Sequence, residues 1–175
     1  SLRSRGLGDV YKRQFLTYKL KIYNMITINE FKNKLSSGSR LLGIDLGTKR
    51  IGIAISDGNQ KIATPYKTLE KIKSSKLIED IKSIIKENDV KGIIVGNPIN
   101  MDGSYGKSSQ SAKDIAINLA DKINIPVCLW DERLSTVGAF NISSELDINV
   151  SKREKDIDKF AAAFILQGAL DYLQN

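Results

Sequence analysis

Three acidic positions stand where charge is costly. Asp45 interrupts the apolar run Leu41–Leu46 and is followed at once by Gly47. A carboxylate inside a buried strand needs a cation, a proton or hydrogen bonds to compensate it. A turn-initiating Asp ahead of glycine is the plainer alternative. Asp131 and Glu132 directly follow the apolar run Pro126–Trp130. The alternative is that they begin a helix, Asp131 as its cap and Glu132 in its first turn. Asp158 has Ala161, Ala162, Ile165 and Ala169 at helical spacing, which puts its carboxylate on an apolar, sheet-facing stripe. Asp156 falls on a different face and reads as a helix cap.

Carboxylates converging from three distant places would suit two divalent cations. These would activate a water and stabilise the leaving oxygen in phosphodiester cleavage. An all-oxygen site favours Mg²⁺ or Mn²⁺. The expected catalytic groups are Asp45, Glu132 and Asp158, with Asp131 added to them as metal ligands. Expected phosphate contacts are Lys49 and Arg50 in the turn after Asp45, Arg133 beside Glu132, and Asn100 and Ser108 around the polar loop Gly96–Lys107. That loop precedes a helix whose first N–H groups, with Ser108, Ser109 and Gln110, could meet a phosphate. A plain surface loop with a helix cap is the alternative.

Composition removes the competitors. The chain of 175 residues has no histidine. Ser-His-Asp and Cys-His triads, histidine zinc sites and histidine acid-base nucleases are therefore excluded. The single cysteine, Cys128, lies in an apolar run and reads as a buried inert thiol. No apolar run is long enough to span a bilayer and none near the start suits a secretory signal, so a reducing cytoplasm is expected, with no membrane partner. The net charge of +7 suggests a polyanionic partner. It is unevenly spread: residues 1–24 hold six basic residues and one acid, leaving 21 basic and 19 acidic groups elsewhere. The first methionine is Met25. Residues 1–24 are expected to be a non-native or disordered extension ahead of a single domain over 25–175, the alternative being a basic arm that touches nucleic acid.

The elements that must position these groups follow from periodicity. Asn29 is expected to cap a short helix through Leu35. Leu41–Leu46 and Ile51–Ser56 read as strands joined by Gly47-Thr48-Lys49-Arg50, and Ile62–Leu69 as a strand that Pro65 confines to an edge or bulge. Ser74–Asn88 is an amphipathic helix. Gly92–Val95 and Pro126–Trp130 are buried strands, and helices are expected near Ser108–Ile123, Ser135–Glu145 and Arg153–Leu173. This order predicts an α/β sheet covered on both faces, with ligands beyond the carboxyl ends of its parallel strands.

Four segments together resemble a known family. They are Gly43-Ile44-Asp45-Leu46-Gly47-Thr48-Lys49-Arg50-Ile51-Gly52 with Ser56-Asp57, Asn100-Met101-Asp102-Gly103, Asp131-Glu132-Arg133-Leu134-Ser135-Thr136, and Asp158-Lys159-Phe160-Ala161-Ala162. The chain is similar, from about Leu41 to Leu173, to the YqgF/RuvX family, described as Holliday junction resolvases and as pre-16S rRNA nucleases. The resemblance implies a ribonuclease H-like fold with a mixed five-stranded sheet, a bacterial cytoplasmic protein, and a role in maturing the 5′ end of 16S ribosomal RNA, with precursor rRNA or a pre-ribosomal particle as partner. Two departures stand out. Related resolvases carry an acid at the end of the fourth strand, where this chain has Val95-Gly96-Asn97, so Glu132 must substitute. Gly138 stands where a glutamate is usual.

Three rival readings remain at this level: a branched-DNA resolvase, a non-catalytic RNA-binding assembly factor, and an actin- or sugar-kinase-like ATPase. The last needs two domains around its nucleotide, more than this chain supplies. Bare carboxylates would repel phosphate in the second. Neither the oligomeric state nor the choice between RNA and branched DNA follows from the residues.

Overall fold

A computed structural model describes residues 25–36, 38–71, 73–134 and 150–175, with side chains from 157 onward in the last segment. The expected helix near Ser135–Glu145, Gly138 and the 1–24 segment lie outside the described residues. The strands are β1 (Met25–Ile26), β2 (Arg40–Leu46), β3 (Arg50–Ser56), β4 (Ala63–Glu70), β5 (Val90–Asn97) and β6 (Val127–Asp131). The described helices are α1 (Ile28–Lys34), α2 (Ser74–Asn88), α3 (Lys107–Lys122) and α4 (Val150–Gln174), and a 3-10 turn spans Glu132–Leu134.

The strands form one sheet in the order β1-β6-β5-β2-β3-β4. β2, β5, β6 and β1 run parallel, and β3 is antiparallel to both its neighbours. The expected mixed α/β sheet is therefore present, with six strands instead of five. The sixth is the two-residue β1, too short to leave a periodic signal. β4 is an edge strand, and its register shifts opposite Ile53 and Ala54, next to Pro65. A proline cannot donate to the ladder, so this is where a strand carrying one belongs.

Alternation along the strands divides the core in two. Leu42, Ile44, Ile51, Ile53, Ile93 and Val95 pack with the apolar stripes of α2 and α3 on one face. Leu41, Ala54, Ile94, Cys128 and Trp130 pack with Phe31 of α1 and with Ala162, Leu166, Ala169 and Leu170 of α4 on the other. Asp45 falls on the α4 face by the same alternation.

Thr27, not Asn29, caps α1. Its hydroxyl accepts from the Glu30 backbone N–H at 3.3 Å, while the Glu30 carboxylate accepts from the Thr27 N–H at 2.8 Å. This reciprocal Thr-x-x-Glu pairing satisfies two helix-start donors, which Asn29 alone could not do. The long helix α4 is tied to the start of β4 through Gln167. Its side chain accepts from the Ala63 N–H at 2.9 Å and donates to the Lys61 carbonyl at 2.9 Å.

Candidate active site

The carboxyl ends of β2, β5 and β6 lie at one edge of the sheet because the three strands are parallel. Asp45 and Glu132 come from β2 and from the turn after β6, with β5 between them. The two acid-bearing strands are thus parallel but are not neighbours, and a gap one strand wide must be bridged. Position 96 bridges it. Ile44 pairs with Val95, so Asp45 stands level with Gly96, which itself pairs with Trp130. A Cβ on Gly96 would lie 2.7 Å from Glu132 Oε1 and 2.6 Å from Ile165 Cδ1. The Glu132 carboxylate therefore fills the space a side chain at position 96 would need, and reaches back over β5 toward Asp45.

Asp158 arrives from α4. A Cβ on Gly52 would lie 1.8 Å from the Asp158 carbonyl oxygen and 3.0 Å from the Lys159 nitrogen. Only glycine lets the helix backbone press so closely on β3. Gly52 is the register partner of Asp45, so this contact sets Asp158 beside Asp45. One turn along, a Cβ on Gly43 would meet Leu166 Cβ at 2.6 Å and the Ala162 carbonyl at 3.0 Å. Glycines inside strands often mark such close approaches. Reading Gly43, Gly52 and Gly96 this way in the sequence would have located the seat of α4 and the crossing of Glu132.

The electrostatics agree with the geometry. Burial, and then the charge of Asp158, push the Asp45 carboxyl up to about 6. Burial, and then Asp45 and Asp131, push Glu132 up to about 7. Asp45 is thus coupled to Asp158 on one side and to Glu132 on the other. Asp158 Oδ2 is buried. Arg50 Nε lies 2.7 Å from it, an ion pair between a guanidinium and a carboxylate whose side chains are 35% and 18% exposed. Among the described residues, no three acids form a ready-made ligand cage. The layout is pairwise, with Asp45 common to both pairs. Mutually repelling, desolvated carboxylates fit a divalent cation, which would replace repulsion with attraction.

The other expected residues divide by what they touch. Asp131 and Arg133 are spent on each other: Nη2 donates to Oδ2 at 2.7 Å, Nε to Oδ1 at 3.0 Å, and the Arg133 backbone N–H to Oδ1 at 3.0 Å. Those bonds hold the Asp131 carboxyl below its usual range. Asp131 acts as the cap of the 3-10 turn, a use that competes with ligating a metal. Asn100 is turned into its own loop, donating to Ser104 Oγ at 2.8 Å. Ser108 and Lys49 are exposed near the site, whereas Ser109 points inward and donates to Asn97 Oδ1 at 2.6 Å. Arg50, expected on phosphate, serves Asp158.

Residues 39–172 match the model of the family described as "RuvX: Holliday junction resolvase". This chain belongs to the RuvX family. A Pelagibacter ubique relative named "Putative pre-16S rRNA nuclease" is 61% identical over 151 residues, covering 86% of this chain and 100% of that protein. A Chelativorans relative with the same name is 44% identical, covering 86% and 94%. The Thermus thermophilus RuvC structure in complex with a Holliday junction substrate matches with a TM-score of 0.52 at 11% identity, covering 78% of this chain and 96% of that one. That likeness shows a shared ribonuclease H-like fold. Within the RuvX pattern, Ser56 and Asp57 have structural uses here. Ser56 Oγ accepts from the Leu41 N–H at 2.9 Å, and Asp57 Oδ1 accepts from Lys61 and Ile62 N–H at 2.7 and 2.8 Å. Among the described residues no helix is long and apolar enough to cross a membrane.

Proposed function

We propose that this chain is a divalent-metal-dependent endonuclease that trims the 5′ end of precursor 16S rRNA in the cytoplasm. The observation that carries the reading is the coupling of Asp45 to both Asp158 and Glu132 at the carboxyl ends of parallel strands. Mg²⁺ or Mn²⁺, probed as one ion or two, would be held by Asp45, Glu132 and Asp158. Bound there, the metal would supply the positive charge that phosphodiester hydrolysis needs at its attacking and leaving oxygens.

The chain's own groups do the rest. Asp45 bridges the two carboxylate pairs. Arg50 keeps Asp158 oriented toward Asp45, and Gly52 sets its distance. Glu132 stands protonated part of the time near neutral pH, so loading the site displaces a proton. Lys49 and Ser108 stand exposed at the rim, available to phosphates. The choice of precursor rRNA over branched DNA rests on the names of the relatives at 61% and 44% identity. The test compares wild type with Asp45→Asn, Glu132→Gln and Asp158→Asn on precursor rRNA and on four-way junctions, with Mg²⁺, Mn²⁺ or EDTA. Metal-dependent cleavage of the precursor, lost in each variant, is expected. Cleavage that survives Asp45→Asn would contradict the assignment.

A further inference from the structure

Among the described residues, the two most exposed large hydrophobic side chains are Met101, 92% exposed, and Tyr105, 72% exposed. Both sit on the single loop that leaves the carboxyl end of β5 beside the candidate site. Isolated exposed apolar residues are ordinary. Two of this size on one short loop next to a catalytic centre are less so.

The loop is built to hold them. Ile99 and Tyr105 form an isolated bridge. The Asn100 N–H donates to the Ser104 carbonyl at 3.1 Å, and the Gly103 N–H to the Asn100 carbonyl at 2.8 Å. The Ser104 N–H donates to Asp102 Oδ1 at 2.8 Å. Gly103 takes a φ of +83°, a turn conformation that side chains disfavour. The backbone that carries Met101 and Tyr105 is thus held in place before any partner binds.

Two basic residues flank the loop, of which Arg133 is paired with Asp131. The Arg133 Nη1 lies 3.9 Å from where a Gly103 Cβ would be, and the guanidinium is within electrostatic reach of the Tyr105 ring hydroxyl. Arg133 follows Glu132 directly, and Lys107 is exposed at the start of α3. Asp102 is the one acid of the loop tip, and it is turned onto Ser104. An exposed aromatic ring and thioether on an ordered loop, with the exposed Lys107 two positions after the ring, match an unpaired nucleobase on a phosphate chain.

We propose that Tyr105, with Met101 beside it, is a stacking platform for an unpaired base of the substrate strand next to the scissile phosphate, making this a nuclease for single-stranded or locally melted nucleic acid. The proposal rests on the nuclease reading above and names the substrate class of that site. Removing an aromatic stack weakens strand binding by roughly 5- to 150-fold.

The test uses the full chain carrying Asp45→Asn, so that no strand is cut. Its probes are single-stranded RNAs with a fluorescent adenine analogue at successive positions, and the matching duplex. Quenching at one or two adjacent positions is expected. Tyr105→Ala should abolish it and weaken single-strand binding by that factor, Tyr105→Phe should retain both, and duplex binding should not change. Unchanged quenching in Tyr105→Ala would overturn the platform, and so would an equal loss on single strand and duplex. A loss of affinity without any fluorescence change would assign the loop to another partner and overturn it as well. Cleavage by the otherwise wild-type chain, assayed in parallel, separates these failures from a failure of the nuclease reading itself.

Discussion

Gly52→Ala adds one methyl group to this chain, and its consequence can be worked from the contact it would make. The new Cβ would stand 1.8 Å from the Asp158 carbonyl oxygen and 2.3 Å from its carbon. Both atoms are helix backbone, so no side chain can rotate out of the way. To restore even the 3.0 Å that such contacts require, α4 must retreat from β3 by about 1.2 Å. Overpacking of this kind typically costs about 1–3 kcal/mol. The displaced residue is Asp158 itself, and a shift of about 1 Å at a catalytic group can lower turnover roughly a hundredfold. The assay is metal-dependent cleavage under saturating substrate, alongside urea unfolding of each variant. Gly43→Ala is the comparison, because it presses on Ala162 and Leu166 of the same helix, one turn further from the site. It should cost similar stability and much less turnover. In the Gly52→Ala, Asp158→Asn double variant, turnover should fall no further than in Asp158→Asn alone. Wild-type turnover in Gly52→Ala, or full additivity of the two changes, would mean that Gly52 does not set the position of Asp158.

Gly96→Ala makes contacts at 2.7 and 2.6 Å, but with the far ends of Glu132 and Ile165. The fold should survive within about 1 kcal/mol, while metal affinity and cleavage fall together because Glu132 is pushed aside; an intact affinity measured by calorimetry would contradict this. Asp45 and Glu132 both bind their proton more tightly folded than unfolded, with values raised to about 6 and about 7 from 3.8 and 4.5. In EDTA the stability this provides is present below about pH 4 and lost as pH rises through 6 and 7. The loss is about 3 kcal/mol at most for Asp45 and smaller for the more exposed Glu132. Urea unfolding at pH 5 and pH 8 measures it, and Asp45→Asn or added Mg²⁺ should flatten the difference. Arg50→Gln leaves Asp158 without its counter-ion; we expect about 1–2 kcal/mol of lost stability in EDTA, recovered on adding Mg²⁺. Cys128, buried and with its thiol pushed up to about 12, should react with thiol reagents at pH 8 only on unfolding, which a stopped-flow absorbance trace would show.

The sequence carried the acids more clearly than their surroundings. Asp45 and Asp158 stand out because a charge in an apolar strand or on an apolar helix stripe is costly, although Asp45 ahead of Gly47 also fits a turn. Their placement at one sheet edge followed from strand direction. What eluded sequence reading was which acid does what. Asp131 and Glu132 are adjacent in the chain, yet strand alternation and the tight turn after β6 send one to Arg133 and the other across β5. Spacing alone does not separate those fates. The same holds for Arg50, whose partner 108 positions later is visible only once α4 is seated on β3. Ser109 could not be told from Ser108 because the helix start shifts by one residue, and that residue decides which hydroxyl turns to Asn97. Thr27 was legible through its Thr-x-x-Glu spacing but was overshadowed by Asn29, itself a good capping residue.

The nuclease proposal rests on joint binding of a divalent metal by Asp45, Glu132 and Asp158. Calorimetric titration of Mn²⁺ into the wild-type chain and into Asp45→Asn, Glu132→Gln and Asp158→Asn, repeated at pH 6 and pH 8, tests it without any substrate. Binding is predicted to be tighter at pH 8, to release protons, and to weaken at least tenfold in all three variants, most of all in Asp45→Asn. Mn²⁺ affinity that is unchanged by Asp45→Asn, or is the same at both pH values in the wild-type chain, would contradict the account.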